Sequence, residues 1–374
     1  MKKYAIILCL VVLLAGCAAD GTRHVDDPEA VVHHPRYARG FDIVEHSNFV
    51  EILLYNPWKD SEILTRYYLV KHDTIDVPDD GMKIKVPVRS VASTSVTQLE
   101  FLRLIGETGS ITAVCSPDII YNEQVRERYR EGQITSLGDA FNLNTERLMV
   151  LDADIVLATF YNQSSVAQQV AEASSIRMVY DNEWTESSPL ARAEWIKFVA
   201  AFYDKMDVAD SIFDGIDSSY QQAKRLTASV KHRKSVLMGG NFRGTWYMPG
   251  GGSYMGTLIK DAHASYYYEN DTTTGSLPLN FETVLHNFSG VDAWLYAPAA
   301  TMSELASMDE RHKLFAPYSS GEVYGFFRRL TPSLSNDFWE SAVAHPDLIL
   351  KDITWALYPE LLPDYEPVYI LRIE

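Results

Sequence analysis

The sequence predicts an α/β protein in which two lobes of alternating strands and helices are joined by a single long interlobe helix. The first observation is the stretch from Pro189 to Lys234, which holds no further proline and one glycine, Gly215. From Asp207 its apolar residues fall at Ala209, Ile212, Phe213, Ile216, Tyr220, Ala223, Leu226 and Val230. Those steps of three and four draw one stripe along a helix. The second is charge order. Asp207, Asp210, Asp214 and Asp217 come first, and Lys224, Arg225, Lys231, Arg233 and Lys234 come last, which complements a helix dipole. A helix from Asp207 to Lys231 would run about 40 Å, enough to lie across two lobes. An ordinary long helix inside one domain fits the same pattern. The third observation favours the bridge: the chain on either side reads as a separate run of alternating strands and helices.

In chain order, residues 1–16 read as a signal peptide. Lys2 and Lys3 precede an apolar run from Ala5 to Ala15 that is too short for a stable span. The run ends in Leu14-Ala15-Gly16-Cys17, which resembles the bacterial lipobox and makes Cys17 the expected lipidated first residue. Residues 17–40 are polar and read as a tether, with His33-His34 taken as solvated and not as a metal pair. Residues 41–188 form the N-terminal lobe, its first part (41–86) a β-rich extension around Phe49–Tyr55 and Tyr67–Val70, split by the turn signal Asn56-Pro57-Trp58. Strands then alternate with helices: Val88–Ala92, Val96–Ile105, Ile111–Cys115, Tyr121–Arg130, Thr145–Val150, Asp154–Ala158, Gln163–Ala173 and Ile176–Tyr180. Such alternation implies parallel pairing. Residues 189–234 are the helical segment. Residues 235–374 repeat the pattern more loosely, with strands at Ser235–Met238 and Asp292–Ala297 and helices at Ser253–Ala262, Asn280–Leu285, Leu334–Ala344 and Asp347–Asp352.

Composition narrows the function. The formal charge of −17 becomes −19 without Lys2 and Lys3, and no basic cluster is left to track phosphates, so a nucleic-acid partner is not expected. Once Cys9 leaves with the signal and Cys17 is acylated, only Cys115 of the three cysteines remains, so no intrachain disulfide can form. The fold must be held by its core, and a mature chain of 358 residues (374 less 16) is long enough for two. Gly250-Gly251-Gly252-Ser253 lacks the spacing of a phosphate loop and reads as a turn.

Two stretches are alike. Asn142-Leu143-Asn144-Thr145-Glu146-Arg147-Leu148 precedes Leu151-Asp152-Ala153-Asp154-Ile155-Val156-Leu157-Ala158. Ser276-Leu277-Pro278-Leu279-Asn280-Phe281-Glu282-Thr283-Val284-Leu285 precedes Val291-Asp292-Ala293-Trp294-Leu295. With Val91–Ser95 and His345-Pro346-Asp347-Leu348, they resemble the iron-chelate and vitamin B12 periplasmic-binding family over residues 86–360. The 41–86 extension and the insertions of the C-terminal lobe depart from the family pattern. The resemblance implies an extracytoplasmic, monomeric substrate-binding protein of an ABC importer, with a permease dimer and its ATPase subunits as partners. It also implies that Glu146 and Glu282 dock the permease, and that the ligand is a ferric siderophore, haem or cobalamin with no resident cofactor.

Ligand candidates are the aromatics after predicted strands: Tyr121, Tyr161 (with Asn162), Trp184 (with Glu183), and Trp246 and Tyr247 (with Phe242). Arg243 is the expected anion partner. Each of these also suits ordinary packing. Two other classes remain: a metal-dependent hydrolase, which would need a His/Asp/Glu cluster that the sequence does not display, and a surface scaffold lipoprotein.

Overall fold

The computed structural model describes residues 27, 29–161, 169, 174 and 176–374. The signal peptide, Cys17, Asn162 and the helix expected over Gln163–Ala173 (apart from Gln169) lie outside the described residues. No helix among those described is long and apolar enough to cross a membrane.

The N-terminal extension is a five-stranded sheet of β1 (Val31–His33), β2 (Phe41–Glu45), β3 (Phe49–Tyr55), β4 (Ile63–Val70) and β5 (Met82–Lys85), paired in that order. The pairings are antiparallel up to β4 and parallel between β4 and β5. Alternation puts Phe41, Ile52, Leu54 and Tyr67 on the buried face. There Phe41 meets Trp195 at 5.1 Å, and Tyr67 meets Phe202 at 5.7 Å.

The expected tether is shorter than the sequence reading had it. Val31–His33 pairs with β2, and residues 36–40 are docked onto a helix. The cause is a pair of buried acids far along the chain. Glu194 accepts backbone N–H bonds from Arg36, Tyr37 and Ala38 at 2.7–3.0 Å, and Glu186 accepts them from Arg39 and Gly40. Such charge-assisted bonds compensate the burial of the carboxylates.

The N-terminal lobe proper is an all-parallel sheet of β6 (Val91–Ser93), β7 (Ile111–Val114), β8 (Thr135–Ser136), β9 (Ile155–Ala158) and β10 (Met178–Tyr180), in the order β10-β9-β6-β7-β8. β6 lies where the order reverses, flanked by β9 and β7. Helix α1 (Val96–Leu104) follows it at once, started by a capping box between Ser95 and Gln98. Helices α2 (Glu123–Arg130) and α3 (Thr145–Leu151) are capped by Asn122 and Asn144. Cys115 is buried and free, and burial pushes its thiol up to about 12, which removes thiolate reactivity.

Helix α4 (Pro189–Ala201) packs on α1 and the N-terminal sheet, and α5 (Met206–Thr227) then runs between the lobes. At its start Lys205 donates to the Ile105 carbonyl at 2.8 Å, in the N-terminal lobe. At its end Tyr220 and Lys224 hold Asp261 of the C-terminal lobe at 2.8 and 2.7 Å, and Lys351 donates to Ser219. The apolar stripe is buried at Ala209, Phe213, Ile216, Tyr220 and Ala223. The helix stops at Thr227, four residues before the expected Lys231.

The C-terminal lobe is built on β11 (Val236–Met238), parallel to β14 (Ala293–Leu295), with parallel bridges Ser235–Ser265 and Trp294–Val323 on either side. Between these strands lie β12 (Thr245–Pro249) and β13 (Ser276–Leu279), an antiparallel pair, and helices α6 (Tyr254–Asp261) and α7 (Phe281–Phe288). Gly251 faces the Tyr268 carbonyl 2.3 Å from where a Cβ would stand, so the glycine run closes a tight turn. Helix α8 (Pro346–Leu357) packs along α5. The helix expected over Leu334–Ala344 is instead a single 3-10 turn, Asp337–Trp339, started by the Asn336 side chain, which accepts the Phe338 N–H.

Candidate functional site

The carboxyl ends of the parallel strands face one cleft of about 640 Å³ between the lobes. Thr97, at the start of α1 just beyond β6, and Glu183 and Trp184, just beyond β10, line one side. Gly239 and Phe242 beyond β11, Tyr247 on β12 and Tyr296 beyond β14 line the other. Phe338 and Trp339 of the 3-10 turn close it. Tyr296 adopts a left-handed φ of 57°, a costly backbone for tyrosine that keeps its ring at the cleft wall, 5.5 Å from Phe326.

Of the residues expected to hold ligand, Trp184 and Tyr247 line this cleft, as do Glu183 and Phe242 beside them. Tyr161 stands outside it, with its ring 5.5 Å from that of Trp184. Trp246 does not reach the cleft. It is 0% exposed, its indole N–H donates to the Met238 carbonyl at 2.7 Å, and its ring packs on Trp294. The reason is strand alternation: Trp246 and Met248 point into the core, so Tyr247 must point out. Arg243 is exposed in the turn after Phe242, over whose ring its guanidinium lies at 5.1 Å, and does not line the cleft. Tyr121 is also elsewhere, in a contact between lobes described below.

The cation in the cleft is Arg192, on α4, which carried no strand-end signal. Its Nε and Nη2 donate to the carbonyls of Glu186 and Trp184, both at 2.8 Å, and its guanidinium lies 4.3 Å above the Tyr254 ring. Carbonyls and a ring face thus hold it in place, and it forms no salt bridge among the described residues, an arrangement suited to an anionic or hydrogen-bond-accepting group on a ligand. Below it, burial raises the carboxyls of Asp181 and Glu183 above their usual range, with Arg192 opposing the rise at Glu183. Asp181 Oδ2, Asn182 Nδ2 and Glu183 Oε2 are buried without a hydrogen-bond partner among the described residues. The cleft therefore combines aromatic walls with a fixed cation, Arg192, and a buried carboxyl, Glu183. No group of three or more His, Cys, Asp or Glu residues fit to hold a metal ion occurs among the described residues.

A second set of contacts joins the lobes beside the cleft. Glu340, 2% exposed, accepts the backbone N–H groups of Tyr121 and Asn122 at 2.6 and 3.0 Å. The Arg329 guanidinium lies 5.3 Å from the Tyr121 ring, and Ser335 donates to the Asp118 carbonyl at 2.9 Å. His345 pairs with Glu100 of α1 at 2.7 Å. This clasp, and not the ligand surface, is where the fold uses Tyr121.

Glu146 and Glu282 occupy equivalent places. Each is exposed in the first turn of a short helix, two residues after an asparagine cap, Asn144 on α3 and Asn280 on α7. Glu282 is approached by Arg311 at 3.3 Å and keeps 75% of its side chain exposed.

Known proteins show the same architecture. A family model described as periplasmic binding protein matches residues 91–310, more than half of the chain and parts of both lobes. An uncharacterised lipoprotein of Methanocaldococcus jannaschii is 22% identical, covering 100% of this chain and 97% of that protein. A possible iron-binding periplasmic solute-binding protein of Staphylococcus epidermidis superposes with a TM-score of 0.57 at 16% identity, over 73% of this chain and 99% of that one. A periplasmic haem-binding protein of Pseudomonas aeruginosa gives a TM-score of 0.55 at 14% identity, over 75% and 95%. At these identities the superpositions speak for the fold alone. Taken with the family match and the cleft between two parallel-sheet lobes, they lead to one conclusion: the chain belongs to the periplasmic binding protein family, whose members bind solutes and are not enzymes.

Proposed function

We propose that this chain is the lipid-anchored, extracytoplasmic substrate-binding component of an ABC importer, and that it carries an iron chelate, a ferric siderophore or haem, to the membrane permease. The observation that carries the reading is the cleft. Its volume of about 640 Å³ suits a ligand of that size, and both lobes supply aromatic faces to it. Arg192 supports an iron chelate with acidic or carbonyl groups, and replaces Arg243 as the anion partner. The whole complex is recognised, and not the bare metal ion. The S. epidermidis and P. aeruginosa proteins, described as iron-binding and haem-binding, lend support from shared fold. Cys17 carries the lipid, as the lipobox-like Leu14-Ala15-Gly16-Cys17 and the M. jannaschii lipoprotein support. Glu146 and Glu282 meet cations of the permease, one from each lobe, which fixes register and speeds encounter. Native mass spectrometry of the protein purified from its own host tests the reading. A bound mass carrying an iron isotope pattern supports it, and a bound corrinoid or sugar overturns the iron assignment.

A further inference from the structure

We infer that the N-terminal sheet supplies part of the ligand surface through Trp58, extending the cleft for a flat, conjugated metal complex that reaches beyond the cleft mouth. The inference rests on the chelate reading above. Residues 31–85 lie outside the stretch that matches the family, so nothing in that match accounts for them. The loop between β3 and β4 is braced by its own hydrogen bonds. Asn56 accepts the Trp58 N–H at 3.0 Å and donates to Glu62 at 3.0 Å, and its backbone N–H reaches the Glu62 carbonyl at 2.8 Å. That geometry holds Trp58 with its ring 6.3 Å from that of Trp184 and 5.7 Å from that of Phe160. Trp184 itself lines the cleft and continues to Tyr161 at 5.5 Å.

Three segments distant in sequence thus place one row of rings at the cleft mouth. Trp58, Trp184 and Tyr161 are 38%, 37% and 40% exposed. On the opposite lip Tyr247 and Trp339 are 52% and 59% exposed and also line the cleft. Large exposed aromatic patches on a soluble monomer mark a binding surface. Here the row is continuous with the cleft through Trp184, which makes the cleft's ligand its occupant. Ring faces on both lips suit a planar π system, since such faces stack in offset or tilted pairs. A compact hydroxamate complex would touch the inner rings and leave Trp58 unused.

The test is titration of wild type, Trp58→Ala, Trp58→Phe and Trp184→Ala with haemin, followed by the haemin absorbance band, and with ferrioxamine B. Trp58→Ala should bind haemin about five- to tenfold more weakly, the value of one lost ring contact. Trp58→Phe should recover most of it, and thermal unfolding of both should match wild type. Unchanged haemin affinity in Trp58→Ala beside a weakened Trp184→Ala overturns the inference and leaves the cleft reading standing, whatever Trp58→Ala does to self-association or uptake. Wild type binding ferrioxamine B but not haemin also overturns it while sparing the chelate reading. Binding of neither probe sinks both.

Discussion

Glu340→Gln should change how stability depends on pH, by an amount the clasp between the lobes sets. Burial pushes the Glu340 carboxyl from 4.5 up to about 7, with the neighbouring Asp337 and Glu100 adding to the rise and the N–H groups of Tyr121 and Asn122 opposing it. Arg329 and His345 lie in the same cluster, paired with Asp337 and Glu100 respectively. In the unfolded chain Glu340 loses its proton near 4.5; in the fold it keeps the proton until about 7. Between those values the folded state holds more protons, so stability falls as pH rises, and the loss is complete above 7. The gap between 4.5 and about 7 corresponds to about 3 kcal/mol at about 1.4 kcal/mol per pH unit. Glutamine keeps the shape and one acceptor oxygen but cannot titrate. The difference in unfolding free energy, wild type minus Glu340→Gln, should therefore fall by about 3 kcal/mol from pH 4.5 to pH 8, with Tm moving in the same sense by several degrees. Urea unfolding at half-unit pH steps measures it. Two curves that stay parallel across that window refute the assignment of a buried, high-pKa carboxyl to the clasp.

Other expectations follow from the same geometry. Cys17→Ser should move the protein from the membrane fraction to the soluble one. Charge reversal at both Glu146 and Glu282 should abolish uptake while the affinity for free ligand stays within about twofold, because both are exposed and neither lines the cleft. The lobes are tied by α5 on one side and the Glu340 and His345 contacts on the other. Small-angle scattering with and without haemin should accordingly show little compaction, and a large one would contradict a rigid link.

What the sequence disclosed was whatever repeats locally. The stripe from Ala209 to Ala223 and the sorted charges foretold α5, because a helix face is a periodic signal. The rule that clefts open at strand ends pointed to Trp184 and Tyr247, which line the cleft, and applied to the strand before Tyr296 it would have pointed there too. The same rule misplaced Trp246, since neighbours on a strand cannot share a face. Arg192 stayed hidden because it reaches the cleft from a helix. Tyr121 and the docking of residues 36–40 depend on Glu340, Glu186 and Glu194, all more than a hundred residues away, and pairing at that range leaves no mark on local pattern.

The central claim is that a metal chelate binds whole in the cleft between the lobes. It is tested most directly by titrating the apo-protein with haemin, a ferric siderophore, cyanocobalamin and free ferric ion, on wild type and on Arg192→Ala. The account predicts saturable one-to-one binding of an iron chelate by wild type, weakened about tenfold or more without Arg192, and no tight binding of the bare ion. Tight binding of ferric ion alone, or of none of the three chelates, would contradict it.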